Sequence, residues 1–243
     1  MARFVGKTAV VTGAASGMGK EVAEQLAAEG ARVMALDLVF PEQSSSNTSP
    51  SPSILQRKHD VTKPEDWDGL VAYLAHGGVD ILVNAAGVMD YALLHETEFS
   101  SWRHTLDVDL DGVMLGMRAV IPLMKSRGGG SIVNFSSALA TIAFAGSPGY
   151  HAAKAAVMHL TRNAAVTYAA DKIRVNAVLP GIIDTPMVRK QPDEYNAAAV
   201  ARTPLGRMGT AREIAKCVLF IASEDAAYMT GSAVTIDGGL SAM

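Results

Sequence analysis

The segment Thr12-Gly13-Ala14-Ala15-Ser16-Gly17-Met18-Gly19 constrains the fold of this chain more than any other. It follows an apolar, β-branched run, Lys7 to Thr12, and opens a helical pattern in which Val22 and Leu26 stand four residues apart. A strand must therefore turn sharply into a helix. Gly13 permits the turn, Gly17 lets a backbone approach a ligand closely, and Gly19 lets the helix pack on the strand it has just left. The helix N-terminus directs free N–H groups and the positive end of its dipole over the loop, which suits a pyrophosphate. A tight turn explains a lone glycine cluster equally well, so its surroundings have to decide.

Those surroundings repeat the alternation. Arg32 to Asp37, Ile81 to Asn84, Ser131 to Phe135, Arg174 to Leu179 and Ala233 to Ile236 read as strands, with Ile54 to Asp60 a weaker candidate. Helical patterns cover Gly17 to Ala28, Glu65 to His76, Trp102 to Lys125, His151 to Ala170 and Ala211 to Ala222. Strand–helix alternation implies βαβ units, and right-handed crossovers then favour a doubly wound parallel sheet with helices on both faces. The expected fold is α/β, a single Rossmann-type domain over residues 1–243. Pro41 to Ser53 breaks the rhythm with almost no apolar content, and is expected to be an exposed loop.

Composition removes other classes. Apolar residues form 49% of the 243, too many for a disordered chain. A net charge of −3 leaves no electrostatic footprint for nucleic acid. Cys217 is the sole cysteine, which excludes an intrachain disulfide and reads as a buried structural thiol on a helix. Only a short apolar run follows Arg3 and Lys7, unlike a signal peptide, and the longest uncharged stretch, Gly128 to Ala153, is broken by Gly, Ser, Pro and His. The expectation is a cytoplasmic protein without a membrane or nucleic-acid partner.

Asp37 ends the second strand, where a carboxylate accepts bonds from both hydroxyls of an adenosine ribose; an acid capping a loop is the plainer alternative. A 2′-phosphate there would meet a like charge, with no Arg or Lys in Ala14 to Ser16 to offset it, so NAD is favoured over NADP. Tyr150 and Lys154 stand at i, i+4 and share a helix face. A phenol titrating near pH ~10 needs a drop of roughly 3 units to act as a base near neutrality. One cation at ~4 Å supplies about that much at an effective dielectric of ~20. Alone, such a pair is usually a surface pair. Ser137 closes the preceding strand at the sheet edge where open α/β proteins bind ligands.

Taken in order, the glycine loop, Asp37, Asp60-Val61, Asn84-Ala85-Ala86-Gly87, Ser137, Tyr150-x-x-x-Lys154, Pro180-Gly181, Thr185 and Asp237-Gly238-Gly239 closely resemble the short-chain dehydrogenase/reductase family. The resemblance spans essentially the whole chain. It implies that Tyr150 is the general acid–base, that Lys154 holds the nicotinamide ribose and lowers the Tyr150 pKa, and that Ser137 polarises the substrate oxygen. It further implies cofactor contacts from Gly13, Ser16, Gly17, Met18, Gly19, Asp37, Asp60, Val61, Asn84, Ala85, Gly87, Pro180, Gly181, Ile183 and Thr185, and a homotetramer. The enoyl reductase branch spaces its Tyr and Lys more widely and fits poorly.

One position departs from the family pattern. Val108-Asp109-Leu110-Asp111-Gly112 matches a motif that usually carries a catalytic Asn, here Asp109. Asp accepts hydrogen bonds but donates none when ionised. Three readings stay open: a relay acid, a packing residue, or a weakened catalyst. The first is favoured, which places Asp109 among the catalytic residues. Asp107, Asp109 and Asp111 do not share one helix face and lack a His at ligand spacing, so no metal is assigned.

Met89, Tyr91, Leu139, Phe144 and Met187 are expected around the substrate, with Ser147, Leu179, Ile182 and Val188 nearby. This mainly apolar set implies a hydrophobic, cyclic secondary alcohol or ketone. Arg189, Lys190 and Arg202 flank an expected substrate loop at about 187–205; they serve either an acidic substrate tail or solvent alone. The main expectation is an NAD-dependent alcohol dehydrogenase. The alternatives are an NADPH-dependent 3-oxoacyl-carrier reductase and a non-catalytic NAD-binding sensor or scaffold.

Overall fold

Alternating side chains in the first strand set the architecture. In β1 (Thr8–Thr12), Ala9 and Val11 face one way and Val10 the other, and all three are fully buried. A strand buried on both sides belongs inside a parallel sheet covered by two helical layers. The computed structural model, which describes residues 2–40 and 53–242, has that form. Its main sheet joins β1, β2 (Arg32–Asp37), β3 (Ile54–Lys58), β4 (Ile81–Asn84), β5 (Gly130–Phe135), β6 (Ile173–Pro180) and β9 (Ala233–Ile236). The order is β3-β2-β1-β4-β5-β6-β9, with every pairing parallel. This is the expected doubly wound single domain. Apart from Ser53, the segment Pro41 to Ser53 lies outside the described residues.

Helices α1 (Gly17–Ala28) and α7 (Ala211–Ala222) cover one face. Val22, Leu26, Ile214, Val218 and Leu219 pack there against Ala9, Val11, Val83 and Val133. The other face is covered by α2 (Pro64–Leu74), α4 (Gly112–Ser126) and α5 (Pro148–Tyr168). Trp67, Leu70, Val120, Met124 and Val157 meet Val10, Met34, Leu82 and Ile132. Each such large apolar side chain contributes about 2 kcal/mol by leaving water. Cys217 sits on α7 half-buried rather than buried, packed at the margin of the first layer.

Three elements differ from the sequence reading. The single helix expected over Trp102 to Lys125 is α3 (Phe99–Leu106), a π-helical turn over Asp107–Asp111, and then α4. The expected loop at about 187–205 carries α6 (Asp193–Ala201), started by Pro192 with Asp193 and Glu194 in its first turn. Acids at that position complement the helix dipole, and the alanines that follow sustain the helix. A second, two-stranded sheet pairs β7 (Ile183–Asp184) with β8 (Gly209–Thr210), bracketing the α6 segment.

Candidate active site

The sheet order reverses between β1 and β4, and a crevice opens at the carboxyl ends of these strands, where such sheets bind ligands. The loops after β1 and β4 are tied together there. Thr12 Oγ1 accepts hydrogen bonds from the Ala85 and Ala86 amides at 3.0 and 3.1 Å. Gly13 has φ +66°, and a Cβ on it would lie 2.8 Å from the Ala86 backbone. A Cβ on Gly19 would lie 2.2 Å from the Gly13 carbonyl oxygen. Two of the three loop glycines are thus demanded by close approach. Asp37 holds the same loop: its carboxylate accepts from the Ala15 amide at 2.9 Å and from the Leu38 amide at 2.8 Å.

The crevice has a volume of about 930 Å³. Gly13, Ser16, Gly17, Met18, Gly19, Asp37, Asp60, Val61, Ala85, Gly87 and Thr185 all line it. This donor-rich helix N-terminus, the close-approach glycines and the acid at the strand end fit a dinucleotide. Asp60 turns its carboxylate to Thr62, accepting from the amide and the hydroxyl. Asn84 does not line this crevice. It is buried and donates to Asn134 Oδ1 at 2.9 Å, while Asn134 donates to Thr161 Oγ1 at 3.0 Å, which ties β4 and β5 to α5. His59 and His104 also line the crevice. Sequence reasoning missed His59 because a lone His carries no spacing signal, and read His104, three residues before Asp107, as a surface contact. The His59 ring stands edge-on to Trp67, and among the described residues neither of its nitrogens has a hydrogen-bond partner.

A second cavity of about 740 Å³ adjoins the first, sharing Met18, Thr185 and Met187. Pro180, Gly181 and Ile183 line this cavity rather than the crevice, together with Met89, Leu139, Phe144 and Met187. Tyr91 packs behind the wall, its ring 6.2 Å from that of Tyr195. Tyr195 and Gln191 line the cavity and were not foreseen; they enter because α6 folds where a loop was expected. The C-terminal motif brings in Leu240, because Asp237 accepts from the Gly239 and Ser241 amides and folds the tail back.

Ser137 and Tyr150 also line this cavity. β5 ends at Phe135, and Ser137 caps the following turn by accepting from the Leu139 amide at 3.1 Å. Ser147 precedes α5 in a left-handed conformation (φ 54°) and is fully buried. Its amide donates to the Ala92 carbonyl at 3.1 Å and its hydroxyl donates to the Asp90 carbonyl. Pro148 then starts the helix, so Tyr150 arises one turn from an anchored point. Ser137 acts on the Tyr150 hydroxyl, pulling its pKa down. Lys154 Nζ lies 5.4 Å from the Tyr150 ring centre and donates to the Phe135 carbonyl at 3.1 Å.

Asp109 joins this group. The π-helical turn carries it inward, whereas Asp107 and Asp111 face Arg103 at 2.9 and 3.9 Å on the exposed side. Asp109 is fully buried and forms an ion pair with Lys154 at 3.0 Å, and its other oxygen accepts from the Val88 amide at 2.7 Å. The expected drop in the Tyr150 pKa is not what this arrangement gives by itself. Burial pushes the phenol up, Lys154 pulls it down, and the Asp109 charge pushes it up again; the net direction is upward. Burial lowers the Lys154 pKa, but Asp109 and Tyr150 together outweigh it and hold the ammonium above its ordinary range.

At the cavity mouth the Arg202 guanidinium stacks 4.2 Å over the Phe144 ring. Arg189 is engaged by Asp184 at 2.7 and 3.0 Å. Among the described residues no helix is long and apolar enough to cross a membrane, and no group of three or more His, Cys, Asp or Glu could hold a metal ion.

The chain is similar to known proteins along nearly its whole length. The family model described as enoyl-(acyl carrier protein) reductase matches residues 13–241. The chain is 40% identical to cis-4-hydroxycyclohexanecarboxylate dehydrogenase of Sinomonas cyclohexanicum, over 99% of this chain and 98% of that protein. It is 38% identical to the 3-oxoacyl-(acyl-carrier-protein) reductase FabG of Thermotoga maritima, over 98% and 99%. Its fold superposes on a short-chain type dehydrogenase/reductase from Mycobacterium marinum with a TM-score of 0.93, at 33% identity, covering 100% and 98% of the two chains. With the doubly wound sheet, the glycine loop and the clustered Ser137, Tyr150 and Lys154, these similarities establish that the chain belongs to the short-chain dehydrogenase/reductase family.

Proposed function

We propose that this oxidoreductase passes hydride between NAD and a hydrophobic, cyclic secondary alcohol or its ketone. One observation carries the reading: Ser137 and Tyr150 stand together on the wall of an apolar cavity that adjoins the glycine-loop crevice. Ser137 orients the substrate oxygen, and Tyr150 takes the alcohol proton or returns it to a ketone. Lys154 Nζ lies beside Gly87, 3.5 Å from where a Cβ would stand, and from there it holds a ribose hydroxyl. The nicotinamide, when bound, supplies the hydride acceptor or donor. Asp37 supports NAD, because a 2′-phosphate would meet its carboxylate. The cyclic substrate is supported by the cavity lining and by the cyclohexane ring in the name of the Sinomonas relative.

A second reading, an NADPH-dependent 3-oxoacyl-carrier reductase, is favoured by the Thermotoga relative and by the cationic Arg202 at the cavity mouth. Initial rates with NAD and NADP separate the two, using alicyclic, terpenoid and steroid alcohols with and without a carboxylate. The first reading predicts NAD turnover at least about tenfold faster, ~1.4 kcal/mol in kcat/KM. Equal or faster rates with NADP, or reduction of 3-oxoacyl thioesters alone, would support the second. Binding of NAD with no turnover of either substrate class would instead point to a sensor or scaffold. The reading also includes a cytoplasmic homotetramer. Its support is the apolar exposure of Met114 on α4 and Val166 on α5, 39% and 83%.

A further inference from the structure

Both members of the buried Asp109–Lys154 pair lie inside the domain, with side-chain exposures of 0% and 4%. Such a pair is held only if its charges face each other closely and the remaining polar atoms are satisfied. Here the separation is 3.0 Å, the Val88 amide donates to the second carboxylate oxygen, and Lys154 donates to the Phe135 carbonyl. Burial pushes the Asp109 carboxyl up and the Lys154 charge pulls it down; with one proton between them, the carboxylate–ammonium and acid–amine forms of the pair both sum to zero charge. The pair therefore presents almost no net charge to Tyr150, although a lone lysine would present a full positive one.

We propose that Asp109 is a positioning residue that ties up the Lys154 ammonium, so that Tyr150 becomes a base only at higher pH than it would beside a neutral side chain at this position. This deepens the dehydrogenase reading and rests on it. The upward direction for Tyr150, with Asp109 among its causes, agrees. The other groups facing the pair are few. From α3, His104 acts on Asp109, and in the loop after β4, Tyr91 feels Tyr150, Tyr195 and Asp90. β5 contributes only the uncharged Phe135 carbonyl and, beyond it, Ser137. The consequence is a site whose alcohol oxidation climbs into alkaline pH, while Tyr150 stays protonated and ready to donate to a ketone around neutrality.

The test is the pH profile of kcat/KM for oxidation of a cyclic secondary alcohol by NAD, in wild type and Asp109→Asn. The carboxamide oxygen of that variant can still accept from the Val88 amide, so the local fold is retained. The variant's kinetic pKa is expected to fall by about one unit or more, which raises the rate about tenfold on the acid side of the profile. If Asp109→Asn fails to fold, Asp109→Ser removes the same charge. An unchanged or higher kinetic pKa would overturn the proposal. A second readout needs no turnover: the ionisation of Tyr150 in the NAD-bound protein, followed by tyrosinate absorbance with Tyr150→Phe as the blank. If no alcohol turns over but the tyrosinate titration still moves down in Asp109→Asn, the dehydrogenase reading fails and the electrostatic assignment stands. If the alcohol turns over and neither pKa moves, the assignment fails alone.

Discussion

At the residue scale, the glycine loop and the Tyr-x-x-x-Lys spacing were legible because each is a local constraint. A turn that lets Gly19 approach the Gly13 carbonyl needs glycine wherever the rest of the chain goes. A four-residue spacing on a helix likewise fixes a shared face. Asp109 was legible as a departure, but its partner was not. The 3.0 Å contact to Lys154 depends on how α5 packs beside the π-helical turn. Gln191 and Tyr195 were hidden for the same reason, since their loop takes its place from tertiary contacts; Arg202 was named, but not its stacking on Phe144. Asp37 combines both readings of its sequence position: its carboxylate holds the Ala15 amide, and it is the residue proposed to set the cofactor preference. Asp37→Ser should therefore cost NAD about tenfold or more in affinity, ~1.4 kcal/mol, while binding of NADP holds or improves. Titrating each cofactor against the intrinsic fluorescence checks this; an unchanged NAD-to-NADP ratio would remove Asp37 as the selector.

At the element scale, short β-branched or apolar runs placed the seven main strands to within a few residues, β3 the most weakly, and apolar stripes placed the long helices. What escaped were irregularities of length. A π-helical turn adds a residue without changing the apolar composition, so the run from Trp102 to Lys125 reads as one helix. The two-residue strands β7 and β8 have too little sequence to carry a period. Packing makes Gly19→Ala a sharp test of the β1–α1 junction. The added methyl meets backbone rather than a yielding side chain, so unfolding in urea should show a loss of about 1–3 kcal/mol, with NAD binding weakened as well. The start of α7 has a pH signature. Glu213 accepts from the Thr210 amide at 2.8 Å and from Arg207 at 2.7 Å, and its pKa is lowered to about 2 from an ordinary 4.5. A lowered pKa stabilises the fold above the ordinary value, and that contribution is lost as pH falls through about 2. Glu213→Gln should therefore melt less steeply with acid over that window, as thermal scans at successive pH values would record.

At the scale of the whole molecule, the doubly wound class followed from strand–helix alternation and crossover handedness. The strand order did not, because alternation alone does not say on which side of β1 the chain resumes after β3. That reversal creates the crevice, so the architecture that sequence left open is what brings the glycine loop, Gly87 and Thr185 to one place. Assembly is tested at this scale too. Sedimentation velocity should give a single species of four chains, and replacing Val166 with Arg should shift it toward smaller species; a wild-type monomer would reject the assembly. The central claim is that Tyr150 moves the alcohol proton while the carbinol hydride leaves for NAD. The most direct measurement uses a cyclic secondary alcohol deuterated at the carbinol carbon, with recovery of the reduced cofactor. The account predicts deuterium on the nicotinamide with wild type and a loss of about 10²–10⁴-fold in that transfer with Tyr150→Phe, which still binds NAD. Undiminished transfer in the variant, or reduced cofactor without deuterium, would contradict it.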